Sequence, residues 1–236
     1  MRRIHLFFLW LMLLGLCACG SGEHAAPADG SARIPAEPKY VALTFDDGPH
    51  AGTTDRLLDG LRERNAHATF FLIGKEIAGQ EELVRRMQAE GHQVGNHTWS
   101  HVRLNGSQSD VSQEIHQTEA LLEEILGEGI YWLRPPYGLV SADVEATITV
   151  PTVKWSVDPR DWESRNTDQT VRAILASVQP NSIILLHDIY PTSVDAALQV
   201  VDQLSREGYQ FVTVEELLRL NGVTPELGVL YCTGTG

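Results

Sequence analysis

Residues 40–73 read YVALTFDDGPHAGTTDRLLDGLRERNAHATFFLI, and this stretch decides the fold. It opens with an apolar, β-favouring run at 40–45 and closes with another at 68–73. Between them, residues 54–64 carry Leu57, Leu58 and Leu61 on one side of a helical pattern. A strand, a helix and a strand in that order predict parallel pairing through a right-handed crossover. The alternation continues outward. Further strands are predicted at 92–94, 131–133, 152–157, 182–186 and 210–212, and helices at 80–90, 109–126, 168–178, 194–207 and 214–220. Gly91, Gly127 and Gly208 sit just past three of these helices, where a left-handed cap ends a helix. Such units predict an α/β barrel, complete or not, of about seven parallel strands, with a doubly wound open sheet as the alternative.

The flanks read differently. Met1-Arg2-Arg3, the apolar run 4–16 and the small residues after it form a secretory signal over residues 1–18. The run is shorter than the roughly 20 apolar residues of a bilayer span. Leu16-Cys17-Ala18-Cys19 resembles the lipobox of bacterial lipoproteins, although Cys17 is unusual there. Cys19 would then be the lipidated first mature residue, on an exported chain held at a membrane and facing the periplasm or cell exterior. Simple cleavage to a soluble secreted protein is the alternative. Residues 19–38, rich in Gly, Ala, Pro and Ser, read as a flexible tether, 39–220 as one domain and 221–236 as a C-terminal tail. The chain has 18 basic and 31 acidic side chains, a net charge of -13. That argues against nucleic acid and anionic lipid headgroups as partners. Besides Cys19, cleavage would leave Cys232 as the only thiol, so no disulfide framework is available.

Residues of catalytic type fall just after the predicted strands: Asp46 and Asp47 after the first, His97 and His101 after the third, Arg134 after the fourth, Asp158 and Asp161 after the fifth, and His187 after the sixth. In a parallel α/β fold these strand ends open on one face, so the residues should converge on one cleft. Adjacent Asp46 and Asp47 point different ways and need not share a role. A simple Asp-Gly-Pro turn before the next helix is the plainer reading of that segment. His97 and His101 are four residues apart, which on a helical turn places both rings on one face. With Asp47 they would make a three-ligand set with open positions, as in catalytic zinc sites. His50, His67, His92 and His116 have no such partners and read as structural or surface residues.

Five segments then fall into a known order: Thr44-Phe45-Asp46-Asp47, His97-Thr98-Trp99-Ser100-His101, Arg134-Pro135-Pro136-Tyr137-Gly138, Asp158-Pro159-Arg160-Asp161-Trp162 and Leu185-Leu186-His187. They resemble the motifs of the polysaccharide deacetylases, the NodB-homology domain of carbohydrate esterase family four, over about residues 40–220. The resemblance implies a distorted (β/α) barrel that hydrolyses acetyl groups from N-acetylglucosamine polymers or, in some members, from O-acetylated xylan. It implies one divalent metal, usually zinc, on Asp47, His97 and His101. It makes Asp46 the general base with Arg134 beside it, the Tyr137 N–H an oxyanion donor, and His187 the general acid with Asp161 as its carboxylate partner. Tyr137 and Trp162 would wall the cleft and Leu186 would line the acetyl-methyl pocket, although core packing explains Trp162 and Leu186 equally well. Pro135 and Pro136 stiffen the backbone before Tyr137.

The segments 155–162 and 187–192 are most similar to peptidoglycan N-acetylglucosamine deacetylases. A polysaccharide is therefore the expected partner. An acetyl xylan esterase would use the same residues. A non-catalytic glycan-binding lipoprotein could dispense with Asp46, Arg134 or His187, and all three are present.

Overall fold

The computed structural model describes residues 38–105 and 107–236. The signal, Cys19 and the tether up to its last residue lie outside the described residues. The strands are β1 (Lys39–Asp46), β2 (Ala68–Leu72), β3 (Gln93–Asn96), β4 (Thr152–Val153), β5 (Ile183–His187), β6 (Tyr209–Phe211) and β7 (Leu230–Tyr231). The helices are α1 (Thr54–Glu63), α2 (Glu81–Ala89), α3 (Gln108–Leu126), α4 (Ala142–Glu145), α5 (Asp161–Ser164), α6 (Thr167–Ser177), α7 (Pro191–Arg206) and α8 (Val214–Leu220).

All strand pairs are parallel. β1 is central, pairing with β2, with β5 and, over its first residues, with β6. β3 joins on the far side of β2, which gives the order β3-β2-β1-β5. The rest of the wall is thinner. The run 131–133 does not form a strand; Leu133 alone bridges Asn96 and Thr152, and Val157 alone bridges Ile184. The circuit therefore closes as a distorted barrel, with full ladders on one side and single bridges on the other. Prolines explain the thin side. Pro135 and Pro136 follow Leu133 and Pro151 precedes Thr152, and a residue without N–H cannot extend a ladder.

The tail reading at 221–236 is corrected. β7 pairs with β4, and the buried Tyr231 ring lies 6.1 Å from that of Trp132. This short apolar pair completes a second core of Ala42, Phe71, Ile183, Val214 and Leu217. The main core lies on the other face of the sheet, where Leu57, Leu58 and Leu61 of α1 and Val194, Ala197 and Val201 of α7 cover Phe45, Phe70 and Leu186. Fully burying each of these leucine, valine and phenylalanine side chains contributes about 1.5–3 kcal/mol. Local signals agree with the helix starts. Ser107 accepts from the Asp110 N–H, Thr213 and Glu216 form a capping box, and Pro191 opens α7. Among the described residues, no helix is long and apolar enough to cross a membrane.

Candidate active site

β1 and β5 lie side by side, and their register sets Asp46 directly opposite His187. Thr44 and Asp46 are two residues apart and therefore share a face of β1. Arg134 reaches both: its Nη1 donates to Thr44 Oγ1 at 2.7 Å and to Asp46 Oδ1 at 2.8 Å. Its Nη2 and Nε donate to the carbonyls of Lys154 and Val153. Arg134 is fully buried and lies over the Phe71 ring, so its charge is desolvated and directed at Asp46. Burial by itself would raise the Asp46 carboxyl. The charges of Arg134, His97 and His187 and the Arg134 hydrogen bond outweigh it and hold the group below its usual range. Asp46 is thus a buried acceptor kept ionised.

His187 is the opposite case. Its Nδ1 donates to Asp161 Oδ1 at 2.9 Å, while its backbone N–H and Ser193 Oγ donate to Asp161 Oδ2. Burial opposes the charged ring, but the hydrogen bond and charge of Asp161, helped by Asp46 and Asp47, raise His187 to about 9. With Nδ1 committed, Nε2 is the nitrogen left for chemistry. Two neighbouring groups with their proton affinities pushed apart are the mark of an acid and base pair.

Asp47 follows β1 with a φ of 73°, a left-handed turn that aspartate tolerates. Its Oδ1 lies 3.6 Å from His97 Nε2 and 3.4 Å from His101 Nε2. One ligand atom from each of the three residues fits within 4.8 Å of the others. The two histidines converge differently from the sequence expectation. Residues 97–101 form a loop and not a helical turn, with left-handed φ at Thr98 and His101. Side chains fix that loop: Asn96 Oδ1 accepts from the Thr98 N–H, Thr98 Oγ1 from the His101 N–H, and Glu114 from Ser100. His97 Nδ1 donates to the Arg134 carbonyl at 2.7 Å, which leaves Nε2 turned toward Asp47.

These residues fit a divalent metal. Asp47 Oδ1 is buried with no hydrogen-bond partner, an orphaned lone pair aimed between two imidazoles. Burial and the neighbouring His97 hold His101 below its ordinary value against the pull of Asp47 and Asp46, favouring the neutral ring that a metal requires.

Asp46, Asp47, His97, His101 and His187 open into a cleft of about 400 Å³, walled by Tyr137, Trp155, Asp158, Trp162, Leu185 and Tyr190. Tyr137 has a left-handed φ of 61° in a single 3-10 turn after Pro135, and its ring is half exposed. Trp162 is 43% exposed, which places it at the mouth of the cleft and not in the core. Leu186 is corrected: it is fully buried in the helix-covered core, and Leu185 lines the cleft. Side chains alternate along a strand, so one residue's difference changes the face.

The remaining histidines are structural or at the surface. His92 Nδ1 accepts from the Ala68 N–H, and burial lowers it to about 4. His116 is exposed against Glu119, and His50 and His67 contact Thr53 and Glu216. Several supporting residues were not foreseen: Thr44, Asn96, Trp155, Ser193 and Asp188. Period-two alternation from Asp46 could have found Thr44; nothing in the sequence marks Ser193. Asp188 is fully buried, and burial raises it to about 7. It accepts from Thr54 Oγ1, and Thr54 Oγ1 in turn accepts from the His50 N–H, so it ties the loop after Asp47 to the end of β5.

The polysaccharide deacetylase family matches over residues 33–150. The chain is 40% identical over 180 residues to the peptidoglycan-N-acetylmuramic acid deacetylase PdaC of Bacillus subtilis, covering 76% of this chain but 38% of PdaC. The chain thus spans about two fifths of PdaC's length. It is 42% identical over 177 residues to a chitooligosaccharide deacetylase of Sinorhizobium fredii, covering 70% of this chain and 82% of that protein. Among solved structures, it resembles a family 4 acetyl xylan esterase of Clostridium thermocellum in complex with a cobalt ion. The TM-score is 0.78 at 33% identity, over 83% of this chain and 98% of that one.

Proposed function

Because this chain belongs to the polysaccharide deacetylase family, we propose that it hydrolyses N-acetyl groups from N-acetylglucosamine units of a polysaccharide, peptidoglycan or chitin-like, and releases acetate. The observation that carries the reading is the register pair Asp46 and His187: a carboxylate held ionised by Arg134 beside an imidazolium held protonated by Asp161, in one cleft.

A divalent ion, expected to be zinc, on Asp47, His97 and His101 would supply the Lewis acidity that polarises the acetyl carbonyl and acidifies water. Asp46 takes the proton as water adds to the carbonyl carbon. Arg134 keeps Asp46 ionised and fixed in place. The developing oxyanion takes a hydrogen bond from the Tyr137 N–H; a preorganised donor of this kind typically contributes about 3–4 kcal/mol. The C–N bond then breaks. An amine leaves only once its nitrogen is protonated, and His187 delivers that proton from Nε2, with Asp161 stabilising the imidazolium until then. Leu185 faces the acetyl methyl, and Tyr137 and Trp162 pack on sugar faces.

A second reading, an esterase acting on O-acetylated xylan, is favoured by the likeness to the acetyl xylan esterase. It needs the same base but depends less on a strong acid. Acetate release from chitooligosaccharide, peptidoglycan and acetyl xylan separates the two, and release from acetyl xylan alone would overturn the amide reading. The leader and Cys19 support an exported, lipid-anchored protein. Anchoring rests on burial of acyl chains, worth about 0.8 kcal/mol per methylene. Cys19→Ser should shift the protein from the membrane to the soluble fraction, and unchanged partitioning would refute the anchor.

A further inference from the structure

The chain is strongly acidic, yet every aromatic ring lining the cleft has a guanidinium within 6 Å. Arg134 over Trp155 is buried and belongs to Asp46. Arg160 over Trp162 is neutralised by Glu163 at 2.7 Å. The other two differ. Arg103 lies 4.5 Å over Tyr137 and Arg165 lies 3.4 Å over Tyr190. Both arginines are exposed, and neither pairs with a carboxylate among the described residues.

Their placement is two-sided. The Tyr137 ring is 4.8 Å from that of His101, and the Tyr190 ring is 6.2 Å from that of His187. One cation is therefore stacked on the ring beside His101 and the other on the ring beside His187. Both guanidiniums thus lie against the outer walls of the cleft, next to the rings that line it. Arg165 is also held in place. Its left-handed φ of 46° caps α5, and its Nε donates to the Trp162 carbonyl at 2.6 Å. The acidic groups nearby are engaged elsewhere: Asp158 Oδ1 accepts from the Arg160 N–H, Glu163 pairs with the Arg160 side chain, and Asp110 and Glu114, which line a hollow together with Arg103, accept from Ser107 Oγ and Ser100 Oγ. A stacked guanidinium retains its charge and its outward N–H donors, so two cations remain free to pair with anions.

We infer that Arg103 and Arg165 are specificity determinants for an acidic glycan, one carrying carboxylates on the units flanking the sugar that is deacetylated. The inference rests on the proposed hydrolytic reading and adds the substrate's charge to it. Planar guanidinium forks suit carboxylates, and charges at the rim of a site act chiefly on encounter and salt dependence.

The test compares a short chitooligosaccharide with the same oligomer oxidised to carboxylates at C6 of its flanking units. The full chain should prefer the oxidised oligomer in kcat/KM. Arg103→Gln and Arg165→Gln should each reduce that preference about 3- to 10-fold, mainly through KM. Arg165→Lys should recover part of it. Molar salt, which shortens the Debye length to about 3 Å, should abolish it. A preference that survives the double Gln variant, or is absent in the parent, overturns the inference. Calorimetric binding of the two oligomers is measured in parallel and decides the arginines' role without turnover. Selective binding lost in the double variant supports them even if neither oligomer yields acetate, a result that would count against the hydrolytic reading alone.

Discussion

Asp161→Asn tests whether one carboxylate keeps His187, the proposed general acid, charged. Asp161 is almost wholly buried, and its two oxygens take three hydrogen bonds, two of them from His187. Its hydrogen bond and charge are the leading influences that overcome burial and raise His187 to about 9. Against an ordinary value near 6.5, that is roughly 3 kcal/mol in favour of the protonated ring. Asparagine preserves the shape but removes the charge, so His187 should fall to about 6.5 or lower. Near pH 8 the protonated fraction would then drop from about 90% to about 3%, a rate loss of about 30-fold, or roughly 2 kcal/mol. Near pH 6 the loss should be far smaller, less than about 2-fold for a value of 6.5, because both forms are then mostly protonated. The sign for stability follows from the same raised value. The imidazolium–carboxylate contribution is complete below about 6.5 and is lost as pH rises through about 9, and the variant should lack that decline. Acetate release against pH, with an NMR titration of the His187 ring, measures both effects. An alkaline limb that stays near 9 in a variant with normal metal content would falsify the assigned role of Asp161.

Three further outcomes are expected. Asp46→Asn should lower turnover by about 10²–10⁴-fold while metal content stays normal, because Asn cannot accept a proton and Asp46 is not a ligand; near-normal turnover would exclude it as the base. His97→Ala should lose the bound divalent ion measured by elemental analysis, and full retention of metal and activity would remove His97 from the ligand set. In Gly48→Ala the new Cβ would sit 2.6 Å from both Asp188 oxygens, and such overpacking costs about 1–3 kcal/mol; an unchanged denaturation midpoint would contradict the contact.

How much of this was legible depends on what the sequence encodes locally. Strands β1, β2 and β5 are dense apolar runs, and the polar residues at the ends of β1, β3 and β5 mark the cleft. The grouping of Asp47, His97 and His101 was also legible, but for a partly mistaken reason. The spacing of His97 and His101 suggested a helical turn, whereas the loop owes its shape to Asn96, Thr98 and Glu114, which no period reveals. Leu186 was misplaced because two adjacent leucines in a strand face opposite ways; alternation from His187 puts Leu185, not Leu186, on the cleft side. The β7 strand was hidden because two residues, Leu230 and Tyr231, carry too little pattern to stand apart from a tail. The environments of Arg134 and Asp161 depend on contacts across many residues of chain, and those form only when the barrel closes.

The barrel's uneven wall divides its labour. Asp46, Asp47 and His97 stand at the ends of continuous ladders, where opening requires breaking many backbone bonds at once. Tyr137, Trp155, Asp158 and Trp162 hang from the seam, where Leu133 and Val157 are stitched by single bridges and the Arg134 guanidinium substitutes for a missing ladder by binding the carbonyls of Val153 and Lys154. Amide protons along β1 and β2 should therefore exchange with solvent far more slowly than those at the seam, since local opening is governed by how many bonds must yield together. The walls of the cleft can then be lengthened, shortened or recut without disturbing Asp46, Asp47 and His97, whereas His101, whose ring packs against Tyr137, would feel the change. Arg134 is the exception: as both the rivet of that seam and the partner of Asp46, it is the point at which the tolerance ends.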